Sequence, residues 1–170
     1  CTIAGPDGEL ALSIPTVKPD TLKCPMKDIR ISDHGNWRHL HWNAIESAYN
    51  NTPFFEYYKD DFRPFYEKKY EFLIDFNEEI CRLVCQLIDI QPNIERTSAY
   101  KMEFSAEETD FRESIHPKKV FRTTDPEFAP QPYYQVFESK LGFLPNLSII
   151  DLLFNMGPES LLVLKKPTRL

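Results

Sequence analysis

Asp151 and Asn155 stand one turn apart in Ser148-Ile-Ile-Asp-Leu-Leu-Phe-Asn-Met-Gly-Pro158, a segment with almost no polar face. A carboxylate there can serve as a general base or as an acceptor for a hydroxyl. An amide at i, i+4 lies on the same side of a helix. A helix that is apolar nearly all round is interior, so both groups need hydrogen-bond partners. Those partners are either the protein's own groups or a ligand's. Tyr133 and Gln135, just upstream, have the side chains to orient a sugar or a nucleotide beside Asp151. The competing reading is structural. Ser148 is a natural N-cap, and Asp151 three residues later is placed to close a capping box.

A second group with chemical capacity is Asp33-His-Gly-Asn-Trp-Arg-His-Leu-His41. Its histidines do not have metal-ligand spacing on a helix, where His39 and His41 point to different sides. His39 is the candidate acid-base or ligand-facing group, with Trp37 and Arg38 beside it to bind a ligand. His41 reads as structural. A third group is Arg112, His116, Lys118 and Lys119, a cationic cluster in an acidic chain. It suits a phosphate or a carboxylate. A solvated helix end is the commoner explanation, since cations are favourable there.

Elements must hold these residues in place. Glu9 to Ile14 alternates as a strand does, and Lys27 to Ile31 reads as a short strand. A helix is expected from just after Asn36 to about Tyr49, and another from Asp61 to about Phe72. The strongest apolar stripe is Ile80, Leu83, Val84, Leu87 and Ile88, on a helix expected over Asn77 to Asp89 with Asn77 as its cap. Ser105-Ala-Glu-Glu108 is a capping-box signal for a short helix. Strands are expected at Ile94 to Ser98, Tyr133 to Phe137 and Leu161 to Leu164. In Ser148 to Pro158, Gly157 fits the end of a helix and Pro158 stops it. The fold class expected is α/β or α+β, mixed and helix-rich with a small sheet. Residues 1–170 are expected to form a single domain.

Composition narrows the function classes. The chain has 170 residues, net charge −6 and a 42% apolar fraction. That suits a folded domain with a sizeable core. Nothing concentrates Lys and Arg in the way phosphate-backbone binding requires, so no nucleic-acid partner is expected. No run approaches the ~20 apolar residues of a membrane-spanning helix, so no membrane partner is expected either. Cys1, Cys24, Cys81 and Cys85 have no framework spacing and read as free thiols of a cytoplasmic protein. There is no Gly-rich phosphate loop, nucleophile elbow or metal motif, and the sequence leaves the cofactor unknown.

Tyr133-Tyr-Gln135, then Phe143, Pro145 and the run from Leu147 to Gly157, resemble the C-terminal signature of the WbqC-like proteins. Trp37-Arg-His39, Ile45, Tyr49 and Pro53-Phe54-Phe55 resemble an upstream segment of the same family. The resemblance implies a bacterial protein associated with O-antigen and related surface-polysaccharide gene clusters. It implies a group-transfer enzyme of surface-polysaccharide or nucleotide-sugar metabolism, a transferase acting on a sugar or nucleotide sugar. The alternative is a non-catalytic small-molecule-binding or scaffold protein. On the catalytic reading His39 and Asp151 carry the chemistry, and Trp37, Arg38, Tyr133, Gln135 and Asn155 bind the ligand. The family's usual opening segment is absent before Cys1. The chain is therefore expected to be the C-terminal major part of a slightly longer protein, whose opening supplies a strand beside residues 9–14.

Overall fold

Pro6 and Asp7 form the two-residue turn of a hairpin joining β1 (Thr2–Gly5) to β2 (Gly8–Ala11), with Ile3 opposite Leu10 and Gly5 opposite Gly8. Proline presets the backbone of a turn's first central residue, and Gly8 takes φ 128°, which side chains disfavour. β1 faces the core through Ile3 and Ala4, while Glu9, Leu10 and Ala11 of β2 are exposed. The strand expected to run to Ile14 stops at Ala11. This antiparallel pair is the one sheet among the described residues, which are 1–21, 24–112 and 130–165 of a computed structural model.

Residues 29–32 run between two neighbours. Ser32 N–H donates to Pro15 O and Ile31 N–H to Glu71 O, both at 2.9 Å. The pairing amounts to single bridges at Thr16–Ile31 and Arg30–Phe72, so the strand expected at Lys27–Ile31 shrinks to these contacts. Prolines at 15, 19 and 25 deny it a longer partner.

Helix α1 (Trp37–Tyr49) begins after Asn36, which is left-handed at φ 48°. Its buried residues Trp37, His41, Ile45, Ala48 and Tyr49 repeat at helical spacing on one face. The helix expected over residues 61–72 lies earlier, as α2 (Phe55–Phe62) and α3 (Pro64–Glu67). Phe55 and Phe62, two turns apart, bury one face of α2. Pro64 opens a new helix because it has no N–H to continue the old one. α4 (Leu73–Leu87) starts a turn before Asn77, so Asn77 is interior and caps nothing. Phe76 is the reason. It packs edge-on against Trp37, Phe65 and Tyr70, and needs helical backbone to do so.

The chain closes with α5 (Glu138–Leu141), α6 (Ile149–Met156) and α7 (Ser160–Leu164). Two expected strands are overturned here. Tyr133–Phe137 is a loop leading into α5, because the Gln135 side chain holds Leu144 in place of strand pairing. Residues 161–164 are helical. A 3-10 turn at Gly157–Glu159 carries α6 directly into α7, and the Ser160 hydroxyl ties that turn by donating to Gly157 O at 2.6 Å.

One buried cluster joins Ile3, Ile45, Tyr49, Phe55, Phe62, Leu153 and Phe154, and a second joins Ile31, Trp37, Phe65, Tyr70 and Phe76. Both lie in the unit built from Cys1–Gln91 and Pro132–Leu170. A second unit draws on Pro92–Gln131. Its described residues hold no helix or strand, so the strand expected at 94–98 does not form. The capping-box signal is half realised as a turn in which Glu108 accepts the Ser105 N–H at 2.9 Å. Arg112 lies over the rings of Tyr100 and Phe104 at 4.6 and 4.8 Å. His116, Lys118 and Lys119 fall outside the described residues. The fold is mixed α+β and helix-rich, with a small two-stranded antiparallel sheet. No helix among the described residues is long and apolar enough to cross a membrane.

Candidate functional site

The apolar sequence of α6 forces the helix inward, and Asp151 goes with it to 0% exposure. Both carboxylate oxygens are occupied. The Tyr49 hydroxyl donates to Oδ2 and the Tyr133 hydroxyl to Oδ1, each at 2.8 Å. Nε2 of Gln135 and Nδ2 of Asn155 each lie 3.4 Å from Oδ1. Burial, the largest influence, pushes the Asp151 carboxyl above the usual range, while these four donors pull it down. Burial and the neighbouring carboxylate push the Tyr49 and Tyr133 phenols up, so both remain donors.

The partners are themselves fixed. Tyr49 accepts the Ala4 N–H at 3.2 Å, which ties α1 and α6 to β1. Gln135 both donates to and accepts from the Leu144 backbone at 2.9 Å. Asn155 donates to Asp151 O at 2.8 Å and accepts the Val136 N–H at 3.1 Å. A carboxylate, two phenols and two amides thus satisfy one another and four backbone segments. The expected capping box does not form, for Ser148 makes no side-chain cap. Its N–H donates instead to Thr2 O at 2.7 Å, and Asp151 has turned to the tyrosines.

Four of the anticipated residues therefore meet: Tyr133, Gln135, Asp151 and Asn155. The other three do not bond to them. His39 is exposed on α1, with its ring 2.9 Å from the Asn43 amide. Trp37 is buried and donates to Ser32 O at 3.0 Å. Arg38 lies over the Trp37 ring at 4.8 Å and donates to Asp33 at 2.6 Å. Its Nε is buried and has no partner. His41 is buried beside Trp37, and burial lowers its basicity. Sequence reasoning missed Tyr49 as a member of the hub. The available signal was a phenol at the inward end of the α1 stripe, where a buried hydroxyl needs a partner.

A second junction lies beside the hub. Phe54 N–H donates to Phe154 O at 3.0 Å, and the Phe54 ring fills the space where a Cβ on Gly157 would sit, 2.4 Å from that position. Residues 1–115 match the WbqC-like protein family. The chain belongs to that family. No curated protein and no solved structure matches it. The family match takes in Trp37 to His39, Tyr49 and Phe54, whereas Tyr133 to Gly157 lie beyond it. Tyr49 and Phe54 are nonetheless the residues that hold Asp151 and Gly157.

Among the described residues no group of three or more His, Cys, Asp or Glu side chains could hold a metal. All four cysteines are free thiols. The Cys85 thiol is pushed up by burial and by neighbouring Cys81, which disfavours the nucleophilic thiolate.

Proposed function

We propose that this WbqC-like protein binds a sugar or nucleotide sugar in surface-polysaccharide metabolism, with Asp151 as a structural hub and not as a base. The observation that carries this reading is the complete enclosure of Asp151. A carboxylate with no exposed surface and both oxygens bonded to tyrosines has no free face for a substrate. The non-catalytic binding role is therefore favoured over group transfer. The link to polysaccharide metabolism comes from the family resemblance.

One observation favours the second reading, a transferase acting on the same ligand class. The Tyr133 hydroxyl is held by a carboxyl of raised pKa, yet Tyr133 itself is only half-buried. A hydroxyl so placed can relay a proton to a bound ligand.

A thermal-shift titration with nucleotide sugars, paired with mass spectrometry of the incubated ligand, separates the two. Binding without reaction predicts a melting shift that grows with concentration and leaves the ligand's mass unchanged. Turnover that disappears in a stably folded Asp151→Asn variant would establish the transferase instead. His39→Ala gives a second check. Exposed His39 makes no core contact, so the variant should melt within ~0.5 kcal/mol of the parent. Loss of the ligand response in that variant would bring His39 into the binding site.

A further inference from the structure

Cys81 and Cys85 stand one turn apart on α4. Residues at i, i+4 share one side of a helix, with Cβ atoms about 5–6 Å apart. Both are free thiols; Cys81 is exposed and Cys85 is half-buried. Cys81 is close enough to help push up the ionisation of Cys85. The helix that carries them is anchored. Ile80, Leu83 and Leu87 pack against the buried cluster that contains Tyr49 and Phe154. Ile88 N–H donates to Val84 O at 3.0 Å and Ile90 N–H to Cys85 O at 2.9 Å, so backbone bonds hold the last turn. Spacing then decides what the pair can do. A disulfide needs Cβ atoms roughly 3.5–4.5 Å apart, so closing one here means distorting an anchored helix. An ion between the sulfurs suits the wider spacing. Metal–thiolate bonds of about 2.3 Å let a linear sulfur–metal–sulfur unit span roughly 4.6 Å.

We infer that Cys81 and Cys85 form a two-thiolate site for a soft monovalent cation of the copper(I) type. Soft thiolates select such ions. No larger set of His, Cys, Asp or Glu that could hold a metal forms around the pair among the described residues. A tetrahedral ion such as zinc takes four protein ligands in a closed site, so a two-coordinate ion is the one this pair can satisfy. Binding is an exchange without redox chemistry. Two thiols give their protons to solvent, two sulfur–copper bonds form, the copper stays monovalent, and the site gains one negative charge. The charged residues one turn from the pair are Glu78, Arg82 and Asp89. Two acids against one base set up no positive field to turn a cation away. Exposed Cys81 gives the ion its entry. None of the residues that hold Asp151 takes part, so the site is independent of the sugar reading.

The test titrates the full chain with monovalent copper, without oxygen, against the competing chelator bicinchoninate. The chain should take copper from the chelator saturably. Cys81→Ser and Cys85→Ser should each lower the affinity roughly a hundredfold or more, because losing one of two linked ligands forfeits the gain from joining them. The Cys1→Ser/Cys24→Ser double variant should bind as the parent does. Zinc should not displace the copper, since two thiolates leave its tetrahedral shell incomplete. If the Cys81 and Cys85 variants fail to fold, X-ray absorption of the copper-loaded Cys1→Ser/Cys24→Ser variant takes their place, and it should show two sulfur neighbours. Copper held as tightly by the folded Cys81→Ser and Cys85→Ser variants overturns the site. So does copper lost along with Cys1 and Cys24, or a shell without two sulfurs.

Discussion

Asp151 is costly to bury and is retained because two phenols meet it. Deleting it takes the acceptor from the buried Tyr49 hydroxyl and the half-buried Tyr133 hydroxyl. An unsatisfied buried group costs roughly 1–3 kcal/mol, so Asp151→Ala should lose about that much in urea unfolding. Tyr49→Phe should lose a similar amount, since Oδ2 of Asp151 and the Ala4 N–H both lose their partner. Asp151→Asn keeps the shape and should fold close to the parent. Its pH dependence is the sharper test. The native carboxyl titrates above its ordinary 3.8, so between 3.8 and the raised native value the folded state holds more protons than the unfolded one. That contribution to stability is largest below 3.8 and is lost as pH rises through the native value. The stability of Asp151→Asn relative to the parent should therefore climb with pH across this window and level off above it. A relative stability that falls instead would mean the carboxyl is ionised easily in the fold. The burial of Asp151 was legible in the sequence, because α6 offers no polar face. Its main partner was not, since Tyr49 lies 102 residues away and only the folded chain joins them.

Elements with a clear stripe or well-marked ends were readable, and those whose bounds are set by packing were not. α1 runs from Trp37 to Tyr49 as its stripe indicates, and α6 lies between Ser148 and Gly157 as its end signals indicate. The errors fall where packing overrides local signals. Asn77 looks like a cap, but Phe76 must be helical to reach its aromatic cluster. Leu161 to Leu164 look like a strand, but the Gly157 turn extends the helical path into them. Gly157 is the hinge of that arrangement, with φ 55° and the Phe54 ring against its Cα. Gly157→Ala should destabilise by roughly 1–3 kcal/mol through overpacking, with about 1–2 more for the left-handed backbone. The two costs can be separated in a double-mutant cycle with Phe54→Ala. Relief of the clash should make the double variant more stable than the sum of the single effects predicts, by roughly 0.5–3 kcal/mol. Additive effects would mean that the backbone term alone requires glycine there.

The family match, residues 1–115, and the two compact units do not share boundaries. Cys1–Gln91 carry the matched aromatic and tyrosine positions, and Pro132–Leu170 supply the helix those positions hold. The unit they build together has long-range ties at several points, including Ala4 to Tyr49, Ser148 to Thr2 and Phe54 to Phe154. The second unit is of another kind. Residues 92–112 have no helix or strand and are almost wholly exposed, with Ile94, Tyr100, Met102 and Phe111 outward. Low burial means that local opening costs little. Amide hydrogen exchange should therefore show two regimes. Amides of α1 and α6 should exchange only with global unfolding, because Tyr49 and Asp151 cannot separate without exposing the core. Exposed residues 92–112 should exchange faster, with slowing at Ser105, Glu108 and Arg112, whose N–H groups are bonded within the unit. Protection throughout 92–112 equal to that of α1 would show a core that those hydrogen bonds do not describe. Asp151→Ala adds a directional check, since loosening the hub should raise exchange in α1, α6 and β1 together. An increase confined to α6 would mean that Asp151 stabilises its own helix and does not join the three elements.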